Sequence, residues 1–219
     1  MRFKDRENAA SSLGRLLKND VKGGDPNEVR VIGIPRGGVI MAAIVGKILN
    51  VKYDIVIPRK LRAPYNEELA IGAIIDAENP LVYLDQYLIQ QLNVSSKYIE
   101  SEKQNQIQEI KRRVSLYQTN FKANSLVGKT VIVVDDGAAR GATLIVTARW
   151  IRKFSPKKLI MAVPVGPKGT IELLKKEADL VQSLISPSDN KFGSVGRFYQ
   201  NFPPVTDETV IQLMQKNSS

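Results

Sequence analysis

The strongest constraint on this chain is a unit that occurs twice: an apolar, β-branched run, a glycine-bearing loop, and a stretch with helical spacing. Val29 to Ile34 leads through Pro35-Arg36-Gly37-Gly38 into Val39 to Leu49. Lys129 to Val134 leads through Asp135 to Gly141 into a stretch with Leu144, Ala148, Ile151 and Phe154 on one stripe. A third apolar run, Leu159 to Val165, ends at Gly166-Pro167 ahead of a short helix from Thr170 to Ala178. Runs that are apolar on both faces need cover on both faces, so strands alternating with helices predict an α/β fold, a parallel sheet between two helical layers. Ligands in such sheets sit beyond the carboxyl ends of the strands, where both loops, 35–38 and 135–143, fall.

Other segments surround this core. Asp5 to Leu17 places Ala9, Leu13, Leu16 and Leu17 at helical spacing, with Lys18-Asn19-Asp20 and Gly23-Gly24 as the stop. Ser95 to Gln118 is long and polar with Ile99, Ile107, Ile110, Val114 and Tyr117 on one stripe, which predicts an inserted helix lying on its own domain or facing a partner subunit. Ser186 to Phe202, rich in Ser, Pro, Gly, Asn and aromatics, suggests a small hood over the sheet edge. A last helix follows, capped by Thr206, with Asp207 and Glu208 in its first turn and a Val205 to Val210 staple. No repeat or low-complexity tract interrupts the chain, so the expected division is a core over 1–185, with a helical insertion at about 85–120, and a hood plus last helix over 186–219.

Composition limits the chemistry. The 219 residues include no Cys and no His, which excludes disulfides, thiol nucleophiles, zinc-thiolate sites and imidazole bases. Carboxylates, Lys, Arg, Tyr, backbone amides or an oxygen-held metal remain. With 32 Lys plus Arg against 22 Asp plus Glu, the formal charge is +10, which suits either a nucleic-acid surface or a pocket for a small polyanion. The Lys residues are scattered, the long polar helix also carries Glu100, Glu102 and Glu109, and no nucleic-acid motif is present, so no nucleic-acid partner is expected. The longest apolar stretch, Val39 to Gly46, is far short of a membrane span, and Met1 leads into Arg2, Lys4, Asp5 and Arg6 with no secretory h-region. A cytoplasmic protein without a membrane partner is the expectation.

The string from Val131 to Thr143, Val-Ile-Val-Val-Asp-Asp-Gly-Ala-Ala-Arg-Gly-Ala-Thr, joins two devices at the end of one strand. Asp135 and Asp136 place carboxylates suited to sugar hydroxyls. Gly137, Ala138, Ala139, Arg140, Gly141, Ala142 and Thr143 supply a mostly small-residue loop whose amides can converge on a phosphate at a helix start. A ribose 5-phosphate carries both features. The spacing fits neither a P-loop nor the dinucleotide fingerprint.

This string resembles the signature of the type I phosphoribosyltransferases, in which two acids hold the ribose hydroxyls of phosphoribosyl pyrophosphate and the following loop holds its 5-phosphate. Gly33-Ile-Pro-Arg-Gly-Gly38 resembles the family's pyrophosphate loop, with Gly37 and Gly38 permitting unusual torsions and Arg36 contributing charge. Val56 to Gly72, opening with Arg59, Lys60 and Arg62, resembles the flexible loop that closes over the site, and Arg59 and Lys60 are its favoured cations. The likeness covers most of residues 3–210 and is greatest to a group of microbial phosphoribosyltransferases of unassigned acceptor, with Phe3 to Arg6 and Val195 to Tyr199 as further shared segments.

The resemblance implies transfer of the phosphoribosyl group to a nitrogen acceptor, a nucleobase or similar, with release of pyrophosphate. It also implies Mg²⁺ carried by substrate oxygens and water rather than by direct protein ligands, and a homodimer. Asp135, Asp136, Arg36 and Lys60 are the expected catalytic residues. Members that use 6-oxopurines commonly have Asp and Lys where this chain has Ala139 and Ala142, so a hypoxanthine or guanine acceptor handled in that way is in doubt. Arg140 stands where Thr is usual and either pairs with phosphate or faces solvent. Phe198, Tyr199 and Phe202 either stack an acceptor base or anchor the hood; Tyr199 is the expected substrate contact. A different class, a non-catalytic module that binds phosphoribosyl pyrophosphate or a nucleotide, is the competing reading.

Overall fold

β-Branched and apolar side chains make the central strands buried on both sides, and they divide their residues between two cores. A computed structural model describes residues 2–76, 78–118 and 121–218; the end of the predicted insertion at 119–120 and residue 219 of the predicted hood lie outside them. Among these residues, β1 (Val29–Gly33), β2 (Tyr53–Ile55), β6 (Thr130–Val134), β7 (Lys158–Val165) and β8 (Leu180–Ile185) form a parallel sheet in the order β2-β1-β6-β7-β8. Alternation does the dividing. Val29, Val31, Ile132, Val134, Ile160 and Ala162 enter one core with α1 (Arg6–Asp20) and α2 (Gly37–Leu49). Val131, Val133, Leu159, Met161, Val163 and Ile32 enter the other with α5 (Ala142–Arg152). The doubly covered parallel sheet expected from the apolar runs is therefore present.

The register aligns the strand ends that matter. Gly33 pairs with Val134 across β1 and β6, and Val134 with Ala162 across β6 and β7, so the loops after β1 and β6 leave the sheet at one level. Asp5 caps α1, accepting from Asn8 N–H at 2.8 Å. α6 (Lys168–Lys175) follows β7, the short α7 (Asp189–Phe192) lies in the hood, and α8 (Asp207–Ser218) closes the described chain with Val205 and Val210 both buried, as the staple predicts.

Within Val56–Gly72, read from the sequence as a polar loop, the chain takes strand form: β3 (Arg59–Ala63) pairs with β4 (Asn66–Ile75), and β5 (Leu81–Leu84) completes a separate antiparallel sheet, with register shifts at Leu61/Arg62 and Arg62/Ala63. The cause is packing. α3 (Gln86–Gln91) leads to α4 (Ser96–Tyr117), which buries Ile107, Ile110 and Tyr117 together with the polar Glu102, Gln106 and Arg113. Glu102 accepts from the Arg62 N–H at 3.1 Å and from Gln106 at 3.0 Å, and Tyr98 donates to the Arg62 carbonyl at 3.2 Å. These bonds fix the polar hairpin on the inserted helix. Most of the helix's apolar stripe is thus spent on its own chain, although Val114 stays 41% exposed.

Ile132 lies at the middle of the sheet and is fully buried, whereas Val127 is 57% exposed. Ile132→Ala should lower unfolding stability by about 2–5 kcal/mol, and Val127→Ala should stay within about 0.5 kcal/mol, both measured by chemical denaturation.

Candidate active site

Glycines let the two loops meet. A Cβ on Gly38 would lie 2.7 Å from the Val134 carbonyl and 3.2 Å from Asp135 Oδ1, and one on Gly37 would overlap the Asp136 carboxylate. The β1–α2 loop therefore sits directly against the acid pair, and any larger residue at 37 would push it away. The Pro35–Arg36 peptide of that loop is cis.

The acid pair is electrostatically unequal. Asp136 Oδ2 accepts from Arg6 Nε at 2.7 Å, while Asp135 Oδ1 accepts from the Asp136 N–H at 2.8 Å. Burial pushes the Asp135 carboxyl well above the usual carboxylate range, and the neighbouring Asp136 adds to this; Lys60 and Arg6 oppose it. Burial raises Asp136 too, against the paired Arg6 guanidinium and Lys60. Two carboxylates at one strand end are costly to ionise, and nearby cations are what offset that cost.

Beyond the acids, the loop from Gly137 to Thr143 is braced from beneath. Ala138 N–H donates to the Val165 carbonyl at 2.8 Å, and Thr170 Oγ1 donates to the Ala139 carbonyl at 2.6 Å. Gly141 takes a positive φ of 76° and begins α5, whose first intrahelical bond runs from Ile145 N–H to the Gly141 carbonyl at 2.8 Å. The amides of Ala142, Thr143 and Leu144 precede that bond and belong to the donor-rich end of the helix. A cavity of about 230 Å³ is lined by Lys60, Asp135, Asp136 and residues 137–144. An adjoining cavity of about 330 Å³ is lined by Pro35, Arg36, Gly37, Arg59, Lys60, Arg62 and Glu67, and shares Lys60, Asp135, Asp136 and Thr143 with the first. Two spaces that meet over one acid pair can hold an elongated anion.

The predicted cations divide. Lys60 is exposed and lines both cavities. Arg59 is held on α4, its Nε donating to Gln106 at 2.9 Å, and burial with the nearby Arg113 lowers its pKa to about 10. Arg62 pairs with Glu67 at 3.0 Å. Arg36 lies 3.7 Å from Asp207, which also accepts from Tyr117 at 2.7 Å and Arg112 at 3.3 Å. Arg140 is exposed and lines the smaller cavity beside the equally exposed Ala139.

One expectation needs correction. Tyr199 does not offer an open ring: it is 4% exposed, packed between Phe3 at 5.4 Å and Phe202 at 4.5 Å, and its hydroxyl donates to the Asp136 carbonyl at 2.6 Å. Phe198 likewise stacks on the buried Phe192 at 5.7 Å. These aromatics anchor the hood, because a buried phenol needs an acceptor and Asp136 provides one. Arg6 is the site residue that the sequence reading left without a role. Its signal was legible: residues 6, 9, 13 and 17 share one stripe, so a cation extends the buried face of α1 by one turn.

A phosphoribosyl transferase domain model matches residues 2–199. The chain belongs to the phosphoribosyl transferase domain family. It is 31% identical over 98% of its length to Rv0571c of Mycobacterium tuberculosis, whose name assigns it provisionally as a phosphoribosyl transferase. The chain spans 46% of that protein, about half its length. Its fold is similar to that of TT1426 from Thermus thermophilus, at a TM-score of 0.78 and 32% identity, with 99% of each chain covered. The phosphoribosyltransferase membership agrees with the acid pair and its loop, which carried the resemblance in the sequence. Among the described residues no helix is long and apolar enough to cross a membrane.

Because Asp135 is raised, its ionised form costs stability as pH rises through the folded-state pKa, and that cost is absent below the ordinary carboxylate range. Asp135→Asn keeps an acceptor for the Asp136 N–H but carries no charge. It should therefore unfold about 2–4 °C above wild type at pH 8, with the difference closing toward pH 4, in thermal scans at both values.

Proposed function

We propose that this member transfers the 5-phosphoribosyl group of phosphoribosyl pyrophosphate to a nitrogen acceptor of the nucleobase kind, releasing pyrophosphate. The observation that carries the reading is the shared lining of the two cavities: Asp135, Asp136, Lys60 and Thr143 border both. In this reading the acids receive the ribose hydroxyls, the amides opening α5 receive the 5-phosphate, and the space beside Arg36, Gly37 and Lys60 receives the pyrophosphate.

The chemistry asked of the protein is placement and charge. An oxocarbenium-like centre at C1 needs the leaving group's charge met as it grows, which Lys60 and the backbone of the 35–38 loop supply without any imidazole. Among the described residues no group of three or more acids is close enough to grip a metal alone. An Mg²⁺ arriving on pyrophosphate and ribose oxygens, hydrated and near Asp135, fits these residues better than a protein cage. When bound it would neutralise part of the pyrophosphate charge.

Ala139 and Ala142 favour a second reading, a module that binds the donor without turnover, since neither can assist an acceptor nitrogen. Calorimetry with phosphoribosyl pyrophosphate plus Mg²⁺, then pyrophosphate release with a panel of nucleobases, separates the two. Donor binding with release is expected; binding with no release for any acceptor supports the module, and no binding removes both. Lys60→Met should weaken donor binding about tenfold or more, the loss expected for a charge-assisted contact to phosphate, with the thermal midpoint little changed.

A further inference from the structure

Arg6 belongs to the first turn of α1, and its guanidinium reaches the acid pair at the carboxyl edge of the parallel sheet. It is 8% exposed and makes three contacts. Nε donates to Asp136 Oδ2 at 2.7 Å, Nη1 donates to the Pro203 carbonyl at 2.7 Å, and Cζ stands 3.7 Å over the Phe202 ring. Phe202 in turn stacks on Tyr199, whose hydroxyl holds the Asp136 carbonyl. Backbone bonds tie the same two segments: Phe3 N–H to the Phe198 carbonyl at 2.8 Å, Gln200 N–H to the Phe3 carbonyl at 2.8 Å, and Asn201 N–H to the Lys4 carbonyl at 2.9 Å.

Asp136 is thus gripped twice, at its carboxylate by α1 and at its carbonyl by the hood. Asp135 receives the N–H of Asp136 and lines both cavities. We propose that Arg6 is a positioning residue for the donor: it fixes the Asp136 carboxylate beside the ribose position and ties the hood to that acid, so that hood order and donor affinity rise and fall together. The proposal rests on the phosphoribosyltransferase reading given above. Arginine suits the task because one planar fork can donate in two directions while its face stacks on a ring; a lysine ammonium can meet the carboxylate but neither stacks in that way nor donates along the same fork.

The test is calorimetric titration of the full chain with phosphoribosyl pyrophosphate plus Mg²⁺, with each variant's thermal midpoint recorded. Arg6→Met should weaken binding about 10- to 100-fold, the loss of one charge-assisted hydrogen bond, and Arg6→Lys should lose only several-fold. Placed on an Asp136→Asn background, Arg6→Met should add less than about twofold, because the two residues act as one unit. Phe202→Leu, which touches neither acid, should weaken the donor several-fold through the hood. A role confined to holding α1 in place predicts instead that Lys and Met behave alike and that the losses multiply in the double variant; either result overturns the proposal. Wild-type affinity in Arg6→Met also overturns it while leaving the phosphoribosyltransferase reading intact, whereas a wild-type chain that binds no donor removes both. If Arg6→Met does not fold, Arg6→Lys and Phe202→Leu decide, and wild-type affinity in either one sinks the proposal.

Discussion

Two carboxylates at the end of a buried parallel sheet set the terms for everything around them. Asp135 and Asp136 emerge where β6 stops, with a strand on each side and helices on both faces, so both are only partly exposed. Charge in such a place has to be met by charge or hydrogen bonds. Arg6 arrives from α1 and Lys60 from the hairpin to meet that charge, and the Tyr199 hydroxyl from the hood holds the Asp136 backbone carbonyl, each from a different part of the chain. The site is therefore also a junction: the N-terminal helix, the antiparallel sheet and the C-terminal segment all converge on one short loop. Gly37 and Gly38 make the convergence possible, since side chains there would occupy the space the acids need.

Much of this was legible in the sequence, and the reasons are physical. The β1, β6 and β7 runs show because buried parallel strands are apolar on both faces and admit little else. The acid pair and its small-residue loop show because they form one contiguous run of particular residue types in a fixed order at the end of an apolar strand. The antiparallel sheet was hidden because Arg59, Lys60 and Arg62 read as solvated loop, and their strand geometry is set by Glu102, Gln106 and Tyr98 on a helix about forty residues later. Tyr199 misled for a related reason. An aromatic in a hood-like segment is compatible with stacking a ligand, and its actual engagement by Phe3, Phe202 and the Asp136 carbonyl depends on where residue 3 lies, which no local pattern records.

The inserted helix α4 gains a different meaning from this arrangement. Its polar residues are not a general solvated face; they form a ladder in which the buried Glu102 and Gln106 hold the hairpin, the half-exposed Glu109 holds Arg112 and Arg113, and Tyr117 reaches Asp207 at the start of α8. Glu109 is drawn down to about 2 by Arg112 and Arg113, and the hydrogen bonds from Tyr117 and Arg112 also lower Asp207. Both therefore remain ionised near neutrality, and Asp207 remains an anion beside Arg36. Such exposed or half-exposed pairs add little stability individually. Their effect is directional: they fix where the hairpin and the last helix stand relative to the β1–α2 loop.

That pattern changes what the net charge of +10 signifies. Among the described residues, Arg6, Arg36, Arg62, Arg112 and Arg113 are paired with acids, and Arg59 is held by an amide. Lys60 and Arg140, which both line the smaller cavity, have no ion pair among those residues. A phosphate entering the smaller cavity would meet Lys60 and the α5 amides without first breaking a protein contact, whereas recruiting Arg36 requires it to leave Asp207. The difference orders the interactions. In the function proposed above, groups already free to receive an anion would set the initial affinity, and a paired arginine would contribute only when the ligand's charge exceeds what its carboxylate partner offers, a condition that a pyrophosphate meets more readily than a monophosphate.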